Sequence, residues 1–233
     1  MAYLPASHRR PVNMRRQFSR LAPHQANIRS QITANSKLKR LFDVVVSASA
    51  LIFLLPALLA LAILIKLDSP GPILFKQKRW GKDGSVIVIH KFRSMKIDEC
   101  DASGRRQTTV QDPRLTFVGA WLRRTNMDEL PQLWNILIGD MSLVGPRCHA
   151  IGMMAAGRPY EELVPNYAAR HTVRPGLTGL AQVRGLRGPT DRPSKAKARI
   201  ACDLYYIQNY SIWLDLWIVF ATIRNELKGG TGF

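Results

Sequence analysis

Hydrophobic and polar positions follow three different patterns along the chain, and each pattern predicts a different kind of element. From Leu41 to Leu67 the residues "LFDVVVSASALIFLLPALLALAILIKL" are almost continuously apolar, with no charge over the about 22 positions between Asp43 and Lys66. A helix rising ~1.5 Å per residue covers roughly 33 Å over such a run, enough for a hydrocarbon core of about 30 Å. The run predicts a membrane helix. After Pro70-Gly71-Pro72 the β-rich stretches "ILFKQKRW" and "SVIVIHKF" flank "GKDG" and predict a hairpin. "CDASGRRQTTVQDPR" reads as a loop. "LTFVGAWLRRT" and "MDELPQLWNILIGD" read as short amphipathic helices, with Leu130, Leu133, Trp134 and Leu137 at helical spacing. Thr125 or Asn126 is placed to cap the second, and Pro131 falls in its first turn.

Toward the C-terminus, "MSLVGPRCHA" predicts a strand or turn, and residues 151–170 predict a helix. "VRPGLTGLAQVRGLRGPTD" predicts a structured loop. "ARIACDLYYIQNYSIWLDLWIVFATI" predicts one last helix, with Trp213, Trp217 and Phe220 on one face and Tyr205, Tyr206 and Tyr210 just upstream. Such an aromatic face suits either a membrane interface or a soluble core.

Pro56 sits at the midpoint of the long apolar run, where it removes a backbone hydrogen bond and kinks a helix. Both flanks are basic: Arg29, Lys37, Lys39 and Arg40 before, and Lys66, Lys76, Lys78 and Arg79 after. Lys and Arg near membrane ends favour the cytoplasmic side. One segment satisfies both flanks by entering and leaving through the same face. Each half of about 11 residues then reaches roughly 15 Å, to mid-bilayer. A kinked spanning helix is the alternative.

Charge narrows the partners. Lys and Arg outnumber Asp and Glu by 34 to 16, a formal charge of +18, which implies polyanionic company. Residues 1–40 contain no Asp or Glu and read as a largely disordered basic arm, without the short apolar core of a signal peptide. With no helix-turn-helix, RNA-binding or zinc pattern and no interleaved aromatics, nucleic acid is not expected. Anionic lipids of the inner leaflet are, at roughly 1 kcal/mol per basic residue near the surface. Cys100, Cys148 and Cys202 are odd in number and widely spaced, and read as reduced thiols, most simply buried as small hydrophobes.

The candidate chemistry lies in "KFRSMKIDEC", where Lys91, Arg93 and Lys96 lead into the acidic doublet Asp98-Glu99. His90, His149 and His171 are scattered with no nucleophile elbow, and the glycines of residues 176–188 make no P-loop. A carboxylate can serve as a nucleophile in phosphoryl transfer. Arginines such as Arg93 and Arg147 suit the non-bridging oxygens, with Mg²⁺ completing the charge balance. The plain alternative is a solvated helix start.

Five ordered blocks decide between these readings: "KRLFDVVVSASALIFLLPALLALAILIKLDSPGPILFKQKRWG", "KFRSM…DE", "MDELPQLWNILIGDMSLVGPR", "HTVRPGLTGLAQVRG" and "DLYYIQNYSIWLDLWI". From about Lys39 onward the chain resembles the bacterial sugar transferases, the monotopic phosphoglycosyl transferases. The resemblance implies transfer of a sugar 1-phosphate from a UDP-sugar to polyprenyl (undecaprenyl) phosphate, releasing the nucleoside monophosphate. It implies a re-entrant helix broken at Pro56, Asp98 as nucleophile, Glu99 as a Mg²⁺ ligand, and Arg93 and Arg147 in contact with the nucleotide sugar. Two departures stand out. Cys148 follows Arg147 where the family usually has proline, which could loosen the turn that aims Arg147. Leu55 precedes Pro56 where the family often has serine, removing a hydroxyl that could satisfy a freed carbonyl.

The expected fold is mainly α with a small β-hairpin: a monotopic membrane protein with a Pro-broken re-entrant helix, short amphipathic interfacial helices and a cytoplasmic catalytic domain. The expected division is a basic arm over 1–38, a membrane helix-hairpin over 39–68 and a catalytic domain over 69–233. The expected location is the cytoplasmic face of the bacterial inner membrane, in the first membrane step of exopolysaccharide or other glycoconjugate synthesis. A homodimer stays open. So do two rival readings, a non-catalytic membrane-surface scaffold and direct attack by the lipid phosphate in a ternary complex.

Overall fold

The computed structural model describes residues 33–97 and 112–228. Helix α1, Lys37–Asp68, is the long apolar element, 32 residues and about 48 Å at 1.5 Å per residue. It starts where Ser36 accepts a hydrogen bond from the Lys39 amide and ends at the extended residue Ser69. The helix runs without interruption through Pro56, so the break expected there does not divide it. By length and composition α1 is able to cross a membrane.

A stripe of α1 nevertheless packs on the rest of the molecule along most of its length. Lys39, Asp43, Ser47, Leu61 and Ile65 are buried, and Phe42, Val46, Ala50, Leu51, Leu54 and Leu58 pack against core clusters. The spacing of three and four residues puts these positions on one face. The opposite face, including Ile52, Phe53, Leu55, Leu59 and Ile63, is exposed.

Strands β1 (Leu74–Trp80) and β2 (Val86–Phe92) form the expected antiparallel hairpin, from Leu74 opposite Phe92 to Trp80 opposite Val86. Asp83 and Gly84 take left-handed backbone at the turn, φ 53° and 70°. Two short helices follow, α2 (Phe117–Arg124) and α3 (Gln132–Ile138), with a 3₁₀ turn at Met127–Glu129 between them. Thr116 caps α2. Asn126 begins the 3₁₀ turn with φ 55°, and its side chain makes no cap there. Pro131 stands at the start of α3, where its missing N–H costs nothing.

Beyond α3 the chain makes β3 (Ser142–Val144), β4 (Met154–Ala155), β5 (Arg158–Pro159), α4 (Tyr160–Leu163), β6 (Gly176–Thr178) and α5 (Leu180–Val183). β3 pairs in parallel with β6, and β4 with β5 antiparallel. The helix expected over 151–170 is replaced by a hairpin, one short helix and a 3₁₀ turn at Tyr167–Thr172. Left-handed residues Gly152, Ala156, Gly157 and Asn166 interrupt any longer helix. The single last helix is two, α6 (Pro193–Gln208) and α7 (Ile212–Leu227). Ser211 makes the break by accepting from the Leu214 amide, and an apolar period continuing through it hides that cap. Trp213, Trp217 and Phe220 are exposed, whereas Tyr206 is buried.

The main core joins Ile87 and Ile89 of β2, Leu133 and Ile136 of α3, Leu143 and Val144 of β3, Leu180 of α5, Tyr206 and Ile207 of α6 and Ile218 of α7. A second cluster at Leu61, Ile65, Phe92 and Leu122 seats the end of α1 on the hairpin and α2. Charges tie the other end of α1 to this body. Lys39 Nζ lies 2.7 Å from both Asp43 Oδ1 and Asp215 Oδ2. Asp43 accepts from Ser142 Oγ and the Leu143 amide, and Asp215 from the Tyr206 hydroxyl. A buried ion pair persists only when its remaining hydrogen-bonding capacity is met, which these contacts supply. Cys148 and Cys202 are buried and free, as expected; Cys100 lies outside the described residues.

Candidate active site

The acidic doublet Asp98-Glu99 lies outside the described residues, which reach Ile97. The approach to it is well defined. The Lys96 amide donates to Arg114 O, and Met95 bridges Leu115. α2 closes on the same segment: Thr116 N donates to Ser94 O, and Arg123 Nε donates to Ser94 Oγ at 2.8 Å. Gly119 admits this contact, since a Cβ there would stand 2.1 Å from Ser94 O.

Arg93 fixes where that segment leaves. It is 3% exposed, and its Nη2 donates to Ile65 O, Ser69 O and Ser69 Oγ, and its Nη1 to Pro70 O. Ile65 O belongs to the last turn of α1, whose carbonyls a helix leaves without intrahelical partners, and Ser69 O and Pro70 O follow directly after it. The positive guanidinium also opposes the negative pole of the helix dipole. Arg93 thus reaches the end of the apolar helix rather than joining Arg147. Ile97 lies beside the same turn, its Cδ1 3.3 Å from where a Cβ on Gly71 would be.

Arg147 belongs to a separate charged cluster. Glu129, in the turn before α3, accepts from Arg147 Nη1 at 2.9 Å through Oε2 and from Arg147 Nη2 through Oε1. The same Oε1 accepts from Lys91 Nζ at 2.7 Å. One carboxylate therefore holds two cations from different parts of the chain. Burial alone raises the Glu129 carboxyl, but the charges and hydrogen bonds of Arg147 and Lys91 outweigh it and hold the group well below the usual carboxylate range. Burial works against the Arg147 guanidinium too, and Glu129 raises it despite that. Neighbouring Asp128 is pushed up, by burial first, with Lys91 acting against the shift. Arg147 keeps 37% of its side-chain surface open, against 12% for Glu129, so part of its side chain is accessible from solvent.

The turn carrying Arg147 is held without a proline at 148. Arg170 Nη2 donates to Arg147 O, and Arg147 bridges Gly176. Arg170 is itself fixed by Asp203 Oδ2 at 2.8 Å. His90 is engaged by Asn135, and His149 stacks among Tyr160 and Tyr167. None of the three histidines hydrogen-bonds to Glu129, and Nε2 of both His149 and His171 is buried without a hydrogen-bond partner.

Glu129 was not singled out by sequence, and Lys91 was named only as leading into the doublet, because no local spacing announces a carboxylate that pairs 18 and 38 residues away. Among the described residues no group of three or more metal-ligating side chains occurs. The only expected metal ligand is Glu99, a hard oxygen donor of the type Mg²⁺ takes.

The family model described as bacterial sugar transferase matches residues 34–229. The exopolysaccharide production protein PSS of Rhizobium leguminosarum bv. phaseoli is 65% identical over 196 residues, 84% of this chain and 98% of that one. The UDP-glucose:undecaprenyl-phosphate glucose-1-phosphate transferase of Caulobacter vibrioides is 50% identical over 81% of this chain and 69% of its own. The Escherichia coli protein of the same description is 48% identical over 81% of this chain, which spans 40% of that longer protein.

Proposed function

Because this chain belongs to the bacterial sugar transferase family, we propose that it moves a sugar 1-phosphate from a UDP-sugar to undecaprenyl phosphate and releases UMP. UDP-glucose is the first donor to test, since the Caulobacter and Escherichia relatives are UDP-glucose:undecaprenyl-phosphate glucose-1-phosphate transferases. In the first step an Asp98 carboxylate oxygen attacks the phosphorus that carries the sugar. The Asp98–phosphorus bond forms as the bond to the bridging oxygen breaks, and UMP leaves with that oxygen. In the second step an oxygen of the lipid phosphate attacks the same phosphorus and the carboxylate departs. Arg147 binds non-bridging oxygens through its planar fork. Glu99 would hold Mg²⁺, which would supply positive charge to balance the reacting pyrophosphate.

The observation that carries this reading is the position of Ile97 beside Gly71 at the end of the apolar helix. A nucleophile in the segment that continues from Ile97 would meet a lipid phosphate that leaves the bilayer by little more than its headgroup. Arg93 serves by holding the helix end in position.

The same geometry supports a monotopic arrangement at the cytoplasmic face of the inner membrane. α1 is anchored to one body by Lys39 at its start and by Ile65 and Arg93 at its end, with its exposed apolar face left for lipid. An undivided α1 fixed at both ends to one body suits a course that keeps both ends on one side of the membrane.

Single-turnover UMP release from UDP-sugars, by full-length protein with Mg²⁺, tests the chemistry with and without undecaprenyl phosphate. A stoichiometric burst without lipid, with label retained on wild type and lost in Asp98→Asn, is expected. Release that requires lipid points to the ternary route. Near-normal turnover in Asp98→Asn overturns the nucleophile assignment, and no release with any donor removes the transferase reading.

A further inference from the structure

We infer that Arg79 and Arg187 join Lys91 and Arg147 in a four-cation cup that binds a phosphate-bearing ligand, with Glu129 and Glu226 as its resident counter-anions. The inference rests on the proposed reaction for the identity of the ligand, but the cup itself rests on contacts. In β1 and β2, Gln77 stands opposite Ile89, Arg79 opposite Ile87 and Phe75 opposite Lys91. Alternation places Arg79, Gln77 and Lys91 on one face of the hairpin. That face turns to the body, for Gln77 and Ile89 are buried. Arg79 also bridges Ala150, and the Trp80 amide donates to His149 O, so the end of β1 lies against the segment that carries Arg147.

Arg187 arrives from the other side. It lies between the left-handed residues Gly185 and Gly188, and its Nη1 donates to Glu226 Oε1 at 2.9 Å. Glu226 Oε2 accepts from Asn126 Nδ2 at 3.0 Å, three residues before Glu129. The last turns of α7 therefore bind Arg187 to the segment that holds Lys91 and Arg147.

The cluster is unbalanced. Among the described residues no carboxylate pairs with Arg79, whose Nε and Nη2 donate to the neutral Gln77 amide oxygen. Arg187 Nε is buried without a hydrogen-bond partner. Burial lowers both guanidinium groups, and the field of Arg147 lowers them further. Four cations against Glu129 and Glu226 leave a charge of about +2 with the neighbouring Asp128 neutral, the form its burial favours, and about +1 with it ionised, which suits an ionised phosphate.

Full-length protein in nanodiscs distinguishes the two phosphate sources. Equilibrium binding of UDP, without lipid acceptor, reports the nucleotide; the KM for undecaprenyl phosphate reports the lipid. Arg79→Gln and Arg187→Gln are each expected to weaken one of these about tenfold or more, with Arg79→Lys recovering part of the loss. Loss of UDP binding assigns the cup to the nucleotide; a raised KM for the lipid phosphate with UDP binding intact assigns it to the acceptor. Glu226→Gln keeps one amide oxygen to accept from Arg187 and, with the Asn126 amide turned over, an Nε2 that donates to Asn126 Oδ1; it removes a negative charge and is expected to tighten the same ligand about threefold. Changes within twofold for both ligands in both Arg variants overturn the cup. If the Arg variants fail to fold, Glu226→Gln decides: tighter binding supports the cup, and unchanged or weaker binding overturns it. UMP release by wild type is followed in parallel. UDP binding without turnover would remove the proposed reaction and leave the anion site, and turnover insensitive to Arg79 and Arg187 would do the reverse.

Discussion

At the scale of single residues, the two arginines named from sequence do different work. Arg147 is bidentate to a carboxylate and partly open, a geometry that a phosphate can take over. Arg93 is enclosed by three backbone carbonyls and a hydroxyl at the end of α1. Hydrogen bonds from a charged donor contribute about 1.5–3 kcal/mol, and removing a donor strands buried acceptors. Arg93→Gln is therefore expected to cost about 3 kcal/mol, read as a fall in Tm of about 6–12 °C. Arg93→Lys should not restore it, since an ammonium lacks the planar fork. A raised KM for the donor at unchanged Tm would instead give Arg93 a direct substrate contact.

At the scale of elements, α1 and α2 set the position of the segment that leads to the doublet. A Cβ on Gly119 would collide with Ser94 O at 2.1 Å, and the neighbour is backbone with little room to yield. Gly119→Ala should displace α2 from residues 94–97 and lower kcat roughly tenfold to a hundredfold, because angstrom-scale misplacement carries penalties of that size. Single-turnover UMP release measures it. For α1, cysteines introduced at Lys37 and Leu67 flank the apolar run. Both should react with a membrane-impermeant maleimide in inside-out vesicles and neither in right-side-out ones. Labelling of the two positions from opposite sides would show a spanning helix.

At the scale of the molecule, stability should fall as the medium is acidified through the range of buried imidazoles. Burial, reinforced by Arg170, holds His149 well below the ordinary histidine value and lowers His171 to about 4. In the unfolded chain both titrate near 6.5. Between about 6.5 and about 4 the unfolded state binds protons that the folded state does not, so stability is full above that window and decreases as pH falls through it. Asp128, Asp203 and Asp215, raised first of all by burial, act with the opposite sign just above their unfolded values. The comparison of variants therefore isolates the imidazole effect. The drop in Tm from pH 7.5 to pH 5 should be smaller in His171→Gln than in wild type, and an equal drop would exclude His171 as its source.

The sequence by itself determined the local elements and the class of chemistry. Continuous apolarity between Asp43 and Lys66 specifies a membrane-competent helix. Period-two stretches around "GKDG" specify the hairpin, and the ordered motifs specify the family. These are contiguous patterns, and local geometry follows from them. Breaks that depend on single caps or on left-handed residues were less legible, as Ser211 and Asn166 show. Only tertiary structure decided which charges meet. Glu129 joins Lys91 to Arg147, Lys39 joins α1 to Asp215 of α7, and Arg93 closes on carbonyls up to 28 residues away. Partners so far apart in sequence leave no periodic trace. Folding selects them because a buried charge is tolerated only where an opposite charge or a set of dipoles meets it.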